Sequence, residues 1–148
     1  MDNDSLSMLY KKMVVAFDGS PGSQKALHRA LLLSKDHGCE ITALSVDEHT
    51  PRYAPGVGKI EEEPVVRKAV FREFHDQALS LASKLGVEIK IETVVGHAAQ
   101  SIVSYVGERG CDVIVIGHSG HSGVWGTLLG STTARVVDHA CCDVLVVR

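Results

Sequence analysis

Asp112-Val113-Ile114-Val115-Ile116-Gly117-His118-Ser119-Gly120 is the stretch that decides the fold, together with Gly130-Ser131-Thr132 nine residues further on. Its first part is a short, β-branched apolar run, the pattern of a strand buried on both faces. Residues Ser131 to Ala140 have helical spacing and begin on hydroxyl residues suited to capping. The segment therefore reads strand, glycine-rich loop, helix N-terminus. Glycine backbones let N–H groups converge without side-chain obstruction, and a helix start adds free donors and the positive end of its dipole. That order of parts predicts an anion site of the nucleotide-phosphate kind.

The rest of the chain repeats the alternation. Lys12 or Met13 to Phe17 is strand one, stopped by the turn cluster Asp18-Gly19-Ser20-Pro21-Gly22. Ser20 followed by Pro21 is an N-cap with proline at the first helical position. Ala26, Ala30 and Leu33, with Leu27 and Leu31 beside them, give helix one its buried face, and Gly38 ends it. Strand two is Ile41 to Val46. From Asp47 to Glu63 the prolines, glycines and three consecutive glutamates predict no regular element, only a long mobile loop. Pro64 opens helix two, with Val70, Phe74, Ala78, Leu81 and Leu85 on one face and Gly86 after it. Strand three is Val87 to Val95. Helix three runs from the Gly96-His97-Ala98-Ala99 turn to Gly110, strand four is Val113 to Ile116, and the last strand is Val144 to Val147. Strands alternating with helices imply a parallel sheet covered on both faces.

Bulk properties bound the function. A chain of 148 residues that is 45% apolar and 22% charged fits one domain, residues 1–148, with residues 1–11 as a flexible N-terminus. The net charge of −3 with no basic stripe argues against nucleic acid. No apolar run approaches the roughly 18 residues of a membrane span, and Met1 to Lys12 is polar and acidic, unlike a signal peptide. The expected place is the cytoplasm, without membrane. Cys39, Cys111 and Cys142 each precede an acidic residue and an apolar run, which places them at strand entrances as reduced, mostly buried thiols. Adjacent Cys141 and Cys142 are poorly placed to bridge, and no C-x-x-C spacing occurs.

In an open parallel sheet, ligands sit beyond the carboxyl ends of the strands where strand order reverses. For the order 3-2-1-4-5 that crevice lies between strands one and four, which end at Asp18-Gly19-Ser20 and at Gly117-His118-Ser119-Gly120. Asp18 there either caps helix one or faces a ligand. His118 and His121 lack a third partner nearby in sequence, so no metal is expected on them. Trp125, Leu128 and Leu129 read as anchors of the loop on the core.

At this level of detail the chain resembles the universal stress proteins, over nearly its whole length. Gly117, Gly120, Gly130 and Ser131 match the Gly-x2-Gly-x9-Gly-[Ser/Thr] pattern of the family's ATP-binding branch. Asp18 matches its aspartate after strand one, and Gly96-His97-Ala98 its Gly-x-[Pro/Ala] turn. The resemblance implies an α/β fold: a single open five-stranded parallel sheet, order 3-2-1-4-5, helices on both faces, Rossmann-like and akin to the adenine nucleotide alpha hydrolases. It implies ATP as ligand, with or without Mg2+, AMP and ADP being the smaller alternatives. Gly117, Gly120, Gly130, Ser131 and Thr132 would hold phosphates and ribose. Asp18 and Val46 would face ribose and adenine, with Ala16 and Phe17 lining the base pocket. His118, Ser119 and His121 would stand by the phosphates. It also implies a homodimer through the last strand, and Asp143 to Val147 is an apolar edge with nothing after it to cover it.

The loop has no lysine: no Lys or Arg lies between Gly110 and Arg135. A P-loop ATPase needs one at the β/γ-phosphates. The expectation is thus a regulatory, stress-response nucleotide binder with at most slow hydrolysis. Two alternatives stay open: a slow ATP hydrolase or nucleotide-transfer enzyme using His97, His118 or His121, and a nucleotide-independent interaction protein.

Overall fold

The computed structural model describes residues 9–48, 52–54, 58–60, 64–119 and 129–148. The elements in order are β1 (Lys12–Ala16), α1 (Pro21–His37), β2 (Glu40–Asp47), β3 (Arg52–Ala54) and β4 (Gly58–Ile60). They continue as α2 (Pro64–Leu85), β5 (Lys90–Val95), α3 (Ala98–Arg109), β6 (Val113–Gly117), α4 (Ser131–His139) and β7 (Asp143–Val147). The main sheet has five parallel strands in the order β5-β2-β1-β6-β7. Counting only its own strands, that is 3-2-1-4-5, as expected.

Period-two alternation in the central strands sorts side chains onto two faces. Met13, Val15 and Phe17 of the first strand, with Val113 and Val115 of β6, pack under α1 and α2 around Leu27, Leu31, Ala78 and Ala82. Val14, Ile114 and Ile116 point the other way, into a second core with Ile102, Tyr105 and Val106 of α3 and Val136 of α4. Because β1 and β6 are buried on both faces, they read as unbroken apolar runs.

The helix ends follow local chemistry. Ser20 caps α1, its Oγ accepting from the Ser23 amide at 3.2 Å. Gly86, at φ +69°, lets the chain leave α2 with the Val87 amide donating back to the Ala82 carbonyl at 3.0 Å. Val87 therefore belongs to the helix cap, and pairing with β2 starts only at Lys90, opposite Thr42. That shortens the expected strand over Val87 to Val95.

Two further expectations need correction. The segment from Asp47 to Glu63 does contain regular structure, since β3 and β4 form an antiparallel pair, Tyr53 opposite Lys59. Residues 49–51, 55–57 and 61–63 lie outside the described residues. Val70 is 41% exposed and is not on the packed face of α2. Phe74, Ala78, Leu81 and Leu85 do pack on the core, as expected, and are joined there by Ala82. Phe74 sits edge-on between Phe17 and Phe71, and Arg67 pairs with Asp47 at the end of β2.

Candidate functional site

A cleft of about 360 Å3 opens beyond the carboxyl ends of β1 and β6, where the strand order reverses. Of the residues expected at the site, Ala16, Phe17, Asp18, Val46, Gly117, Ser119, Gly130, Ser131 and Thr132 all line it. Gly120 and His121 lie outside the described residues. His118 is not among the lining residues. Its backbone is a bridge instead: the amide donates to the Val147 carbonyl at 2.8 Å, and the carbonyl accepts from the Gly130 amide at 3.0 Å. Its imidazole Nε2 is buried without a hydrogen-bond partner among the described residues. Leu129, expected as a core anchor, is 37% exposed, and Trp125 and Leu128 lie outside the described residues.

Backbone contact sets the shape of this corner. A Cβ on Gly117 would lie 2.8 Å from the carbonyl carbon of Gly22, and one on Gly22 would collide with the Ser119 carbonyl. The end of β6 and the first turn of α1 therefore touch main chain to main chain, which only glycine permits. Gly117 is glycine for that packing as well as for any ligand. Asp18 has a turn role too, its Oδ1 accepting from the Ser20 amide at 3.0 Å while the residue stays at the cleft wall.

Of the four helices that start at this end, the three whose caps lie among the described residues are finished differently. Ser20 caps α1 from within. For α3, His97 makes no side-chain cap, and Glu48 reaches across from the end of β2 to accept from the Ala98 amide at 2.8 Å. For α4 the N-cap is Gly130 and no side chain caps it. The expected hydroxyl cap is absent because Ser131 is already inside the helix, and the Thr133 hydroxyl donates to the Gly117 carbonyl at 2.8 Å. Among the described residues, no side chain caps the first amides of α4, and Gly130 to Thr133 line the cleft. Those amides carry the positive end of the helix dipole.

The opposite wall is apolar. Leu44, Ile102, Ile116 and Phe74 join Ala16, Phe17 and Val46. Sequence reasoning missed these four as site residues, along with Glu48, Ser20, Ser23 and Thr133. Thr133 follows directly on Gly-Ser-Thr and could have been included on that ground. Glu48 acts across about fifty residues of chain, and no local pattern announces it. Chemically, the cleft offers an apolar slot, the carboxylates of Asp18 and Glu48, and the amides at the start of α4.

A larger trough of about 870 Å3 lies at the other end of the sheet, around Gly38, Cys39, Gly86 and Ile89. There α1 and α2 end, so the helices present carbonyls and the negative end of their dipoles. That end does not suit an anion.

Residues 9–148 match the model of the universal stress protein family. The chain belongs to that family. Universal stress protein MJ0531 of Methanocaldococcus jannaschii is 34% identical, over 95% of this chain and 83% of its own. Among solved universal stress proteins, UspA from Lactobacillus plantarum superposes with a TM-score of 0.76 at 26% identity, over 94% of this chain and 98% of that one. A universal stress protein crystallised in complex with cAMP superposes at 0.66 with 28% identity, over 94% and 97%. The family's five-stranded α/β architecture is the one described above. No helix among the described residues is long and apolar enough to cross a membrane.

Proposed function

We propose that this universal stress protein is a cytoplasmic regulator that binds an adenine nucleotide in the cleft between β1 and β6, with ATP as its ligand. The observation that carries the reading is the uncapped start of α4. Of the helix starts at this end whose caps are described, α1 and α3 are closed by side chains, and α4 has no side-chain cap among the described residues. Phosphate oxygens complete its first amides, and hydrogen bonds to charged groups contribute roughly 1.5–3 kcal/mol each. Ala16, Phe17 and Val46 would take the base in the apolar slot, Asp18 the ribose hydroxyls, and Gly130, Ser131 and Thr132 the phosphates. Ser119, Gly120 and His121 would stand by the phosphates, with His118 tying the loop down through its backbone bonds to Val147 and Gly130. The relative in complex with cAMP supports the adenine nucleotide class.

The protein holds the nucleotide rather than turning it over, since the loop carries no lysine to meet the β/γ-phosphates. Binding alone does not lower a barrier. Among the described residues no group of three His, Cys, Asp or Glu side chains could hold a metal, so Mg2+ would enter on the phosphates themselves. β7 lies at the sheet edge with Leu145 38% exposed. An open apolar edge favours pairing, and the protein is accordingly a homodimer through Asp143 to Val147.

Calorimetry with ATP, AMP and cAMP on the wild type and on Ser131→Asp tests the binding reading. An aspartate in the first turn suits the α4 dipole by about 0.3–1 kcal/mol and leaves the helix intact. It repels phosphate, so affinity should fall at least about tenfold while the melting temperature holds or rises. Equal affinity in the variant, or no binding by the wild type, sinks the reading. Native mass spectrometry of the protein as purified reads the bound nucleotide and the subunit count together.

A further inference from the structure

A second opening, of about 610 Å3, runs between α3 and α4 and shares Glu48, Ala98, Ser131 and Thr132 with the cleft. The two therefore adjoin at the start of α4, with Ser131 and Thr132 on the lining of both. Pockets for compact organic ligands run to about 300–1,000 Å3, so each chamber has room for one nucleoside. The groove's floor is apolar, with Ala98, Ala99 and Val103, and its walls carry Gln100 and Ser104.

Its basic groups follow a line. Ser131, Arg135 and His139 are four residues apart and share one face of α4. They form a ladder about 12 Å long from the helix start into the groove. Arg135 is exposed and makes no ion pair among the described residues. The His139 Nδ1 lies 2.9 Å from the Arg135 carbonyl, which leaves Nε2 for another partner. His97, at the start of α3, faces the same groove. Among the described residues the only carboxylate on the lining is Glu48, one of whose oxygens accepts from the Ala98 amide.

We propose that the α3–α4 groove is a second nucleoside chamber, and that cleft and groove together take a dinucleoside polyphosphate whose phosphate chain crosses Ser131 and follows Arg135 and His139. This rests on the adenine nucleotide reading of the cleft. A single nucleotide fills the cleft and leaves the ladder and the apolar floor beyond it unused. A polyphosphate ending in a second nucleoside uses both.

The test is calorimetry with AMP, ATP and diadenosine tetraphosphate on the wild type, Arg135→Ala and Ser104→Trp. Arg135→Ala removes the cation, and Ser104→Trp fills the groove from an exposed position without changing charge. The wild type should bind the dinucleotide about tenfold tighter than ATP, the increment that one charge-assisted hydrogen bond supplies. Both variants should lose that preference and keep the wild-type affinity for AMP. If AMP binds but the preference is missing in the wild type, or survives both substitutions, the groove proposal is overturned and the cleft reading stands. If AMP does not bind either, the two fall together.

Discussion

The two ends of the sheet are built to opposite rules. At the amino end, strand entrances and turns are closed by the chain's own hydrogen bonds. Asp112 Oδ2 accepts from the Lys11 and Lys12 amides at 2.6 and 2.8 Å, and the Ser34 hydroxyl donates to the Cys39 carbonyl at 2.6 Å. Gly38 and Gly86 fold the ends of α1 and α2 back onto their own carbonyls. The thiols sit here as well, all free. Burial first, then the neighbouring Cys141 and Cys111, pushes Cys142 up to about 11, which keeps it protonated and inert. At the carboxyl end, two glycine backbones touch, one helix start has no side-chain cap among the described residues, and a cleft remains. A parallel sheet forces this asymmetry, because every crossover helix starts at one end and finishes at the other. The end with spare carbonyls can be closed by the chain itself. The end with spare amides can be left for an anion.

The comparison breaks most visibly at Gly117. Gly117→Ala drives a Cβ into the Gly22 backbone, which belongs to a helix start and cannot move aside. Overpacking of this kind costs about 3 kcal/mol, read as a drop in the urea midpoint. Gly38→Ala at the other end meets nothing within 4 Å and bears only the left-handed backbone at φ +71°, about 1 kcal/mol. Equal losses at the two sites would remove the distinction between the ends. A smaller effect is expected at Thr133→Val, which keeps the shape but strips the hydroxyl from the buried Gly117 carbonyl. An unsatisfied buried acceptor costs about 1–2 kcal/mol, again measured by urea unfolding. No loss would mean that water replaces the hydroxyl and that this corner is wetter than the packing implies.

What sequence could see divides along the same line. The alternation of strands and helices was legible because β1 and β6 are apolar throughout and each helix is punctuated by Gly or Pro. The crevice was legible because two glycine-marked strand ends had to meet at the reversal of order. What stayed hidden depends on contacts between distant parts of the chain. Glu48 closes α3 from the end of another strand, and the Gly22–Gly117 contact joins α1 to β6. Ser131 looked like a cap by residue type, yet Gly130 holds that position. The β3–β4 hairpin was masked by the prolines and glycines around it, which signal turns without saying whether short strands lie between them.

The smallest effect belongs to the amino end, and its pH dependence has a definite sign. Two backbone amides, from Lys12 and Lys11, hold the Asp112 carboxyl below the ordinary carboxylate range. A group whose folded pKa is depressed stabilises the fold above its unfolded value, near 3.9, and that contribution is lost as pH falls through the folded one. Asp112 lies near the surface, so solvent screening keeps the gain to under about 1 kcal/mol. Asp112→Ala should therefore lose that amount uniformly from pH 7 down to about pH 5, with the gap to wild type closing below about pH 4. Asp112→Asn retains one oxygen acceptor, so it should lose less, and its smaller gap should narrow over the same pH range because neither variant carries the titrating group. Urea midpoints across pH 3 to 7 for the three proteins would settle it. A gap that stays constant to the lowest pH would mean that the carboxylate's charge plays no part, and that Asp112 acts at this end only by its shape.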